Sequence, residues 1–392
     1  MLKFLKWIFG LFSPYATSFE RKVDRFFKNI KSTDSISNIR QELLNLMQEN
    51  LIVVNVWMEK KYKGYTYLSK SVRKEMYENS AKIVQLFLAH CGSFAPTDSD
   101  IKRMLDEKGL VFPNGGNEMI RYLLQIMMFL HPSEKYYHYI KTASFGKLLR
   151  DPEKEKLEGD CNQIVTLYAY LFSLKFSIDE LKIKLLPEHV CLHFRGVDIE
   201  ATSGMFQKYK DSEQILPVTE ILSTNLLDIA DFREELQSIS ARDFVKSAQL
   251  AYAISSLKPL VAKNLNSAYY NLGVAAMNSN DFETAIFYLS KTDDSGALKI
   301  AYRNGAVYYL KQNNFEKASY YAGLSGDSEI IKTVKKNELV YRYNQLAKKV
   351  SGVKTLADAK KYKSTYQEML RFAQQMGDGN LASGVEETLR KI

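Results

Sequence analysis

The stretch from Gly159 to Thr202 constrains this chain more than any other. It reads Gly159-Asp160-Cys161-Asn162-Gln163, then an apolar run, then His189-Val190-Cys191-Leu192-His193-Phe194, Arg195-Gly196, and Val197-Asp198-Ile199-Glu200-Ala201-Thr202. Asp160 is suited to an N-cap, and Ile164, Val165, Leu167, Tyr168, Leu171 and Phe172 recur at helical spacing, so Cys161 falls in the first turn of a helix. A helix N-terminus offers free backbone N–H groups and the positive end of the dipole. Both favour a thiolate over a thiol and can serve an oxyanion.

The segments after that helix read as extended. Leu181 to Leu186 alternates with period two, and Val190–Phe194 and Val197–Ala201 flank a two-residue turn at Arg195-Gly196. In such a hairpin, residues whose numbers sum to 391 face each other. His193 then faces Asp198, Cys191 faces Glu200, and His189 lies diagonally beside Glu200 on the same face. Either His189 with Glu200 or His193 with Asp198 can form a base and its orienting acid. Beside the turn, His193 and Asp198 are expected as a solvated cross-strand pair, and Cys191 as a structural thiol.

Gly-x-Cys opening a helix, a His heading one strand and an acid closing the next resemble the transglutaminase-like superfamily, which shares the papain-type thiol core. The resemblance spans about 45 of the 392 residues. It implies Cys161 as nucleophile, His189 as base and Glu200 as orienting acid, with Glu200 before Ala201-Thr202 where the family has Asp before Pro-Thr. It further implies a cysteine-dependent amide or peptide hydrolase or an acyl transferase. The alternative is a catalytically inactive adaptor on the same core, in which Cys161 merely fills a gap between helix and sheet.

A second signal lies further along. Tyr269, Leu272, Gly273, Phe282 and Ala285 correspond to Tyr302, Gly305, Ala306, Phe315 and Ala318, each 33 residues on, and both copies carry an Asn-rich turn between helices. These copies, 267–290 and 300–322, resemble the tetratricopeptide repeat. The resemblance implies a groove for a protein or peptide partner, or plain scaffolding. Because two repeats cannot bury a continuous core, helices before Pro259 and at 328–350 and 356–376 are expected to extend the stack.

The remaining chain is mostly helical in pattern. Residues 17–150 read as helices packing on the core, with Ser35 or Ser37 capping one of them. A charged linker, Arg150 to Glu158, is expected to place Cys161 at the floor of a cleft against those preceding helices. Cys91-Gly92-Ser93 faintly echoes a papain-type cysteine motif, but a helix ends there instead of beginning. The fold class expected is therefore α+β and mostly helical. It comprises an apolar segment 1–16, a helical region 17–150, a transglutaminase-like core 151–215 and a helical solenoid 216–392. Chains joining such a core to tetratricopeptide repeats occur among bacterial proteins.

Composition narrows the partners. Three cysteines, Cys91, Cys161 and Cys191, argue against a disulfide framework and for a reducing, cytoplasmic compartment. Five histidines without zinc-ligand spacing imply no metal, and no cofactor is expected. The net charge of +9 is spread along the chain without an arginine-rich block, so no nucleic acid is expected. The first residues, Met1 to Ser13, are too short to span a bilayer. They read as a helix docked on the protein's own body or, less favoured, as an interfacial anchor carrying Trp7, Phe9 and Phe12 for weak membrane-surface contact.

Overall fold

A computed structural model of the chain describes residues 13–31, 34–141, 144–209, 214–227 and 240–392. Trp7, Phe9 and Phe12 lie outside these residues, as do Asp211, Glu213 and Ile229. The protein is mostly helical with a small amount of sheet, and among the described residues no helix is long and apolar enough to cross a membrane. It divides into two compact units, Met1–Ala268 and Tyr269–Ile392.

The first unit opens with helices α1 (Ser18–Asn29), α2 (Ile36–Met58), α3 (Lys70–Ser93), α4 (Asp98–Asp106) and α5 (Asn117–Phe129). Thr17, Ser35, Ser69 and Thr97 cap the first four by accepting backbone N–H groups that the helix leaves without partners. Helix α2 breaks at Asn50 (φ −167°, ψ 93°), whose side chain accepts the Val53 N–H at 3.0 Å and restarts the helix. Beyond that point Leu51 to Met58 are all buried, so this half is the apolar axis of the unit. Glu20 and Arg73, 0% and 1% exposed, pair at its edge, and Arg73 also donates to the carbonyls of Leu68 and Pro14. Residues 14–17 are thereby tied to α3.

Short strands β1 (Tyr137–Tyr139) and β2 (Leu157–Gly159) run parallel, so the charged linker ends in a strand where a loop was expected. Helix α6 (Cys161–Ser173) follows, and then a five-stranded antiparallel sheet of β3 (Lys182–Leu186), β4 (His189–Phe194), β5 (Val197–Glu200), β6 (Met205–Gln207) and β7 (Ile215–Pro217), in the order β6-β5-β4-β3-β7. Ile183, Leu192, Ile199 and Phe206 line up across one face and join the helical core. Alternation therefore puts His189, Cys191, His193, Asp198 and Glu200 on the other face. Arg195 (φ 47°) and Gly196 (φ 90°) form the left-handed turn that the hairpin register requires. Pairs Leu192–Ile199, His193–Asp198 and Phe194–Val197 match the expected register.

Helices α7 (Glu220–Leu227) and α8 (Ala241–Ile254) come next. Sequence grouped 216–268 with the solenoid, whereas Leu222 and Leu226 of α7 and Ala251 and Ile254 of α8 share the core of the first unit. Their apolar residues are read equally well as a repeat face or a core face, and only packing separates the two. Pro259, expected as a break, is the second residue of α9 (Lys258–Asn278), where its missing N–H is not needed.

The second unit consists of the end of α9 followed by α10 (Phe282–Leu289), α11 (Ser295–Lys311), α12 (Phe315–Ser325), α13 (Ser328–Val350), α14 (Leu356–Lys361), α15 (Lys363–Met376) and α16 (Gly379–Lys391). The 33-residue relation extends to backbone geometry. Asn280 and Asn313 take φ 61° and 57°, and the next residues, Asp281 and Asn314, cap α10 and α12 with near-identical dihedrals. Phe282, Ala306, Ala318 and Tyr321 pack in one cluster, and Leu346, Met369, Phe372 and Val385 in another.

Candidate active site

Helix α6 begins where sequence placed it. Asp160 is its N-cap, accepting the Asn162 and Gln163 N–H groups, while Gln163 Oε1 accepts the Asp160 N–H at 3.1 Å to complete a capping box. The approach to it is held by Tyr137, whose hydroxyl donates to the Gly159 carbonyl at 2.9 Å. Gly159 itself has no room for a side chain: a Cβ would sit 3.1 Å from Gln163 Cβ and 3.3 Å from Leu148 Cδ1. Cys161 is thus fixed at the first helical position, where its N–H has no intrahelical acceptor. It is 9% exposed, and its thiol is free.

His189 heads β4 and lines the same cleft as Cys161, close enough for the thiol to perturb its ring. Its Nε2 donates to Glu200 Oε2 at 2.7 Å, which leaves Nδ1 as the ring nitrogen for the sulfur. The Cys161 side chain, then the hydrogen bond with Glu200, raise its pKa from 6.5 to about 10 against the opposing effect of burial. Glu200, 6% exposed, also accepts the Thr202 N–H at 3.1 Å, the Thr202 hydroxyl at 2.5 Å and the Tyr209 hydroxyl at 2.6 Å. Burial pushes this carboxyl up, but the donors from His189, Thr202 and Tyr209 together outweigh it, and its pKa lies below the ordinary 4.5. The three residues picked from sequence therefore lie together, Cys161 and His189 on one cleft and the imidazole on the Glu200 carboxylate.

The rival pair is brought together too, but for another purpose. His193 Nδ1 lies 2.7 Å from Asp198 Oδ1, and its Nε2 accepts the Gly196 N–H at 3.2 Å, so neither ring nitrogen remains for a thiol. The pair is not solvated as expected. Asp198 is 2% exposed and takes a salt bridge from Lys184 Nζ at 2.8 Å and the Tyr209 N–H at 2.8 Å. Burial raises the Asp198 pKa, and the hydrogen bonds from His193, Lys184 and Tyr209 more than reverse it. Lysine on a period-two strand reads as solvent-facing, and it was the Asp198 partner that allowed its burial.

Tyr209 and Thr202 are the donors to Glu200 that sequence reasoning missed. Thr202 follows Glu200 by two, and the sequence reads it only as part of the Pro-Thr-like setting, without its place as a double donor to the carboxylate. Tyr209 carries no local signal, because its hydroxyl reaches Glu200 only through the strand β6 that intervenes. Cys191, fully buried, is placed as a structural thiol. Cys91 sits in the last turn of α3, and burial raises its thiol pKa.

Cys161 and His189 open on a cleft of about 640 Å³. Its far wall was expected from the preceding helices. It is supplied instead by Leu227 of α7, Leu257 of the α8–α9 turn and Leu260 and Val261 at the start of α9. Tyr139 and Lys141 border it beside the Cys161 helix. Among the described residues no group of three His, Cys, Asp or Glu side chains is placed to hold a metal ion. Comparison of the chain with protein-family models, curated proteins and solved structures gives no match.

Proposed function

We propose that the first unit is a thiol-dependent amide or peptide hydrolase, or an acyl transferase, built on a transglutaminase-like core. The supporting observation is that Cys161, at a helix N-terminus, and His189 line one cleft, with the His189 ring resting on the buried Glu200. In this reading the Cys161 sulfur attacks the amide carbonyl carbon while its proton resides on His189. A C–S bond forms, and the Cys161 N–H faces the oxyanion. Collapse of that intermediate breaks the C–N bond, and the His189 proton passes to the departing amine nitrogen. Water, deprotonated by His189, adds to the thioester and releases a carboxylic acid and the thiol. An amine in place of water gives a transferred amide. Glu200 stays ionised throughout and fixes the ring.

The second unit, in the same proposal, is a tetratricopeptide-like array that holds a protein or peptide partner. Support comes from the paired turn geometry at Asn280 and Asn313 on the 33-residue period, and from exposed aromatic side chains such as Phe287 (56%) and Tyr320 (63%).

The test is alkylation by iodoacetamide at pH 7, read residue by residue by mass spectrometry. His189→Ala is expected to slow labelling of Cys161 at least about tenfold relative to wild type, with Cys91 as internal control. Equal rates in the two proteins would overturn the nucleophile assignment. Cys161→Ala tested in the producing cell separates enzyme from adaptor: an intact biological effect, lost instead on changing the second unit, favours the adaptor.

A further inference from the structure

The apolar lining of the cleft beside Cys161 comes from two walls, Leu186 and Val190 of the sheet on one side and Leu227 of α7, Leu257 of the α8–α9 turn and Leu260 and Val261 at the start of α9 on the other. Asn162, Ser223, Thr224 and Ser255 add polar groups. Leu260 remains 49% exposed despite its place in this wall, so apolar surface is left uncovered next to the sulfur.

That second wall is held rigidly. Glu220, 1% exposed at the start of α7, accepts the Ser223 and Ser255 hydroxyls at 2.6 and 2.7 Å and both the N–H and hydroxyl of Ser256 at 2.6 Å. Ser255 Oγ in turn accepts the Leu257 N–H at 3.0 Å. Four donors on one buried carboxylate pin the turn that carries Leu257 and leads into the start of α9 with Leu260 and Val261, so the wall is organised before anything binds.

The leucine face of the cleft itself carries no charged side chain. Asp160 is spent on capping α6, Glu220 is enclosed by its donors, and the ions at the rim, Lys141 and Glu188, are exposed and opposite in sign. A charged substituent entering between these leucines would lose its hydration against apolar side chains. An aliphatic or aromatic one would be relieved of contact with water. A volume of about 640 Å³ lies within the range of roughly 300–1,000 Å³ typical of ligand clefts.

We propose that the cleft selects amide substrates carrying an uncharged aliphatic or aromatic group beside the scissile carbonyl, with Leu257 and Leu260 as specificity-determining residues. This rests on Cys161 being the nucleophile. The test uses the full chain and chloroacetamides with isobutyl, benzyl, carboxypropyl or aminobutyl substituents. Each transfers its methylene carbon to Cys161 Sγ with loss of chloride, and rates are divided by those with glutathione. The isobutyl and benzyl probes should label Cys161 about tenfold faster than either charged probe. Leu260→Asp, a change at a half-exposed position, should erase that advantage and raise the aminobutyl rate, while Leu260→Met should keep the wild-type order.

Equal normalised rates for all four probes, with iodoacetamide labelling still dependent on His189, would overturn the selectivity and leave the nucleophile standing. Labelling by iodoacetamide that ignores His189 would remove the nucleophile and this selectivity together. Unchanged preference in Leu260→Asp would show that the wall does not select.

Discussion

Replacing Glu200 by glutamine probes the link between the sheet and the thiol. Four donors converge on the carboxylate: His189 Nε2 at 2.7 Å, the Thr202 N–H at 3.1 Å, the Thr202 hydroxyl at 2.5 Å and the Tyr209 hydroxyl at 2.6 Å. An amide retains one acceptor oxygen, so Glu200→Gln faces either Thr202 or the His189 and Tyr209 donors with an NH2 group. A hydrogen bond to a charged group contributes roughly 1.5–3 kcal/mol, and one pH unit corresponds to about 1.4 kcal/mol. Loss of the carboxylate should therefore lower the His189 midpoint from about 10 by about 1–2 pH units. Cys161 raises the same ring, so Cys161→Ala should also lower the midpoint. The assay is a ¹⁵N-imidazole NMR titration of the full chain, with His189 assigned by comparison with His189→Gln. An unmoved midpoint in Glu200→Gln would refute this account of the site.

Other expectations follow from the same structure. The raised His189 midpoint contributes stability that is full below 6.5 and is lost as pH climbs through about 10, while Glu200, held below 4.5, contributes stability present above 4.5 and lost as pH falls through its lowered midpoint. The gap in urea midpoint between wild type and His189→Gln should thus be widest near pH 4.5–6.5 and close toward pH 10. Arg73→Ala leaves Glu20 buried without its partner and should destabilise the first unit by about 3–5 kcal/mol in chemical denaturation followed by near-UV circular dichroism. In the second unit, a Cβ at Gly273 would meet Leu289 Cγ at 2.6 Å and the Ala285 carbonyl at 3.2 Å, so Gly273→Ala should cost about 1–2 kcal/mol. Gly323, inside α12 with nothing within 4 Å of a Cβ, should instead gain about 0.5–1 kcal/mol on change to alanine. Thermal scans of the two variants should move in opposite directions.

What could be read without coordinates was whatever a few neighbouring residues decide among themselves. The capping box at Asp160 and Gln163 set the start of the Cys161 helix. The Arg195-Gly196 turn, left-handed at both positions, set the hairpin register. The Asn turns set the helical hairpins on their 33-residue period. These are short-range events, governed by backbone dihedrals and by donors within a turn of their acceptors.

Long-range packing decided the rest. His189 and His193 look alike along the strand, each with an acid across the hairpin. Their roles separate because the N-terminus of α6 meets one end of β4, while Asp198 and the Gly196 N–H occupy both nitrogens of the other ring. Tyr209 on Glu200, Lys184 buried against Asp198, Arg73 against Glu20 and the leucine wall from α7, the α8–α9 turn and the start of α9 all join segments that no local rule connects. Burying a charge or shaping a cleft depends on which surfaces exclude water together, and that is fixed only when distant parts of the chain are packed against each other.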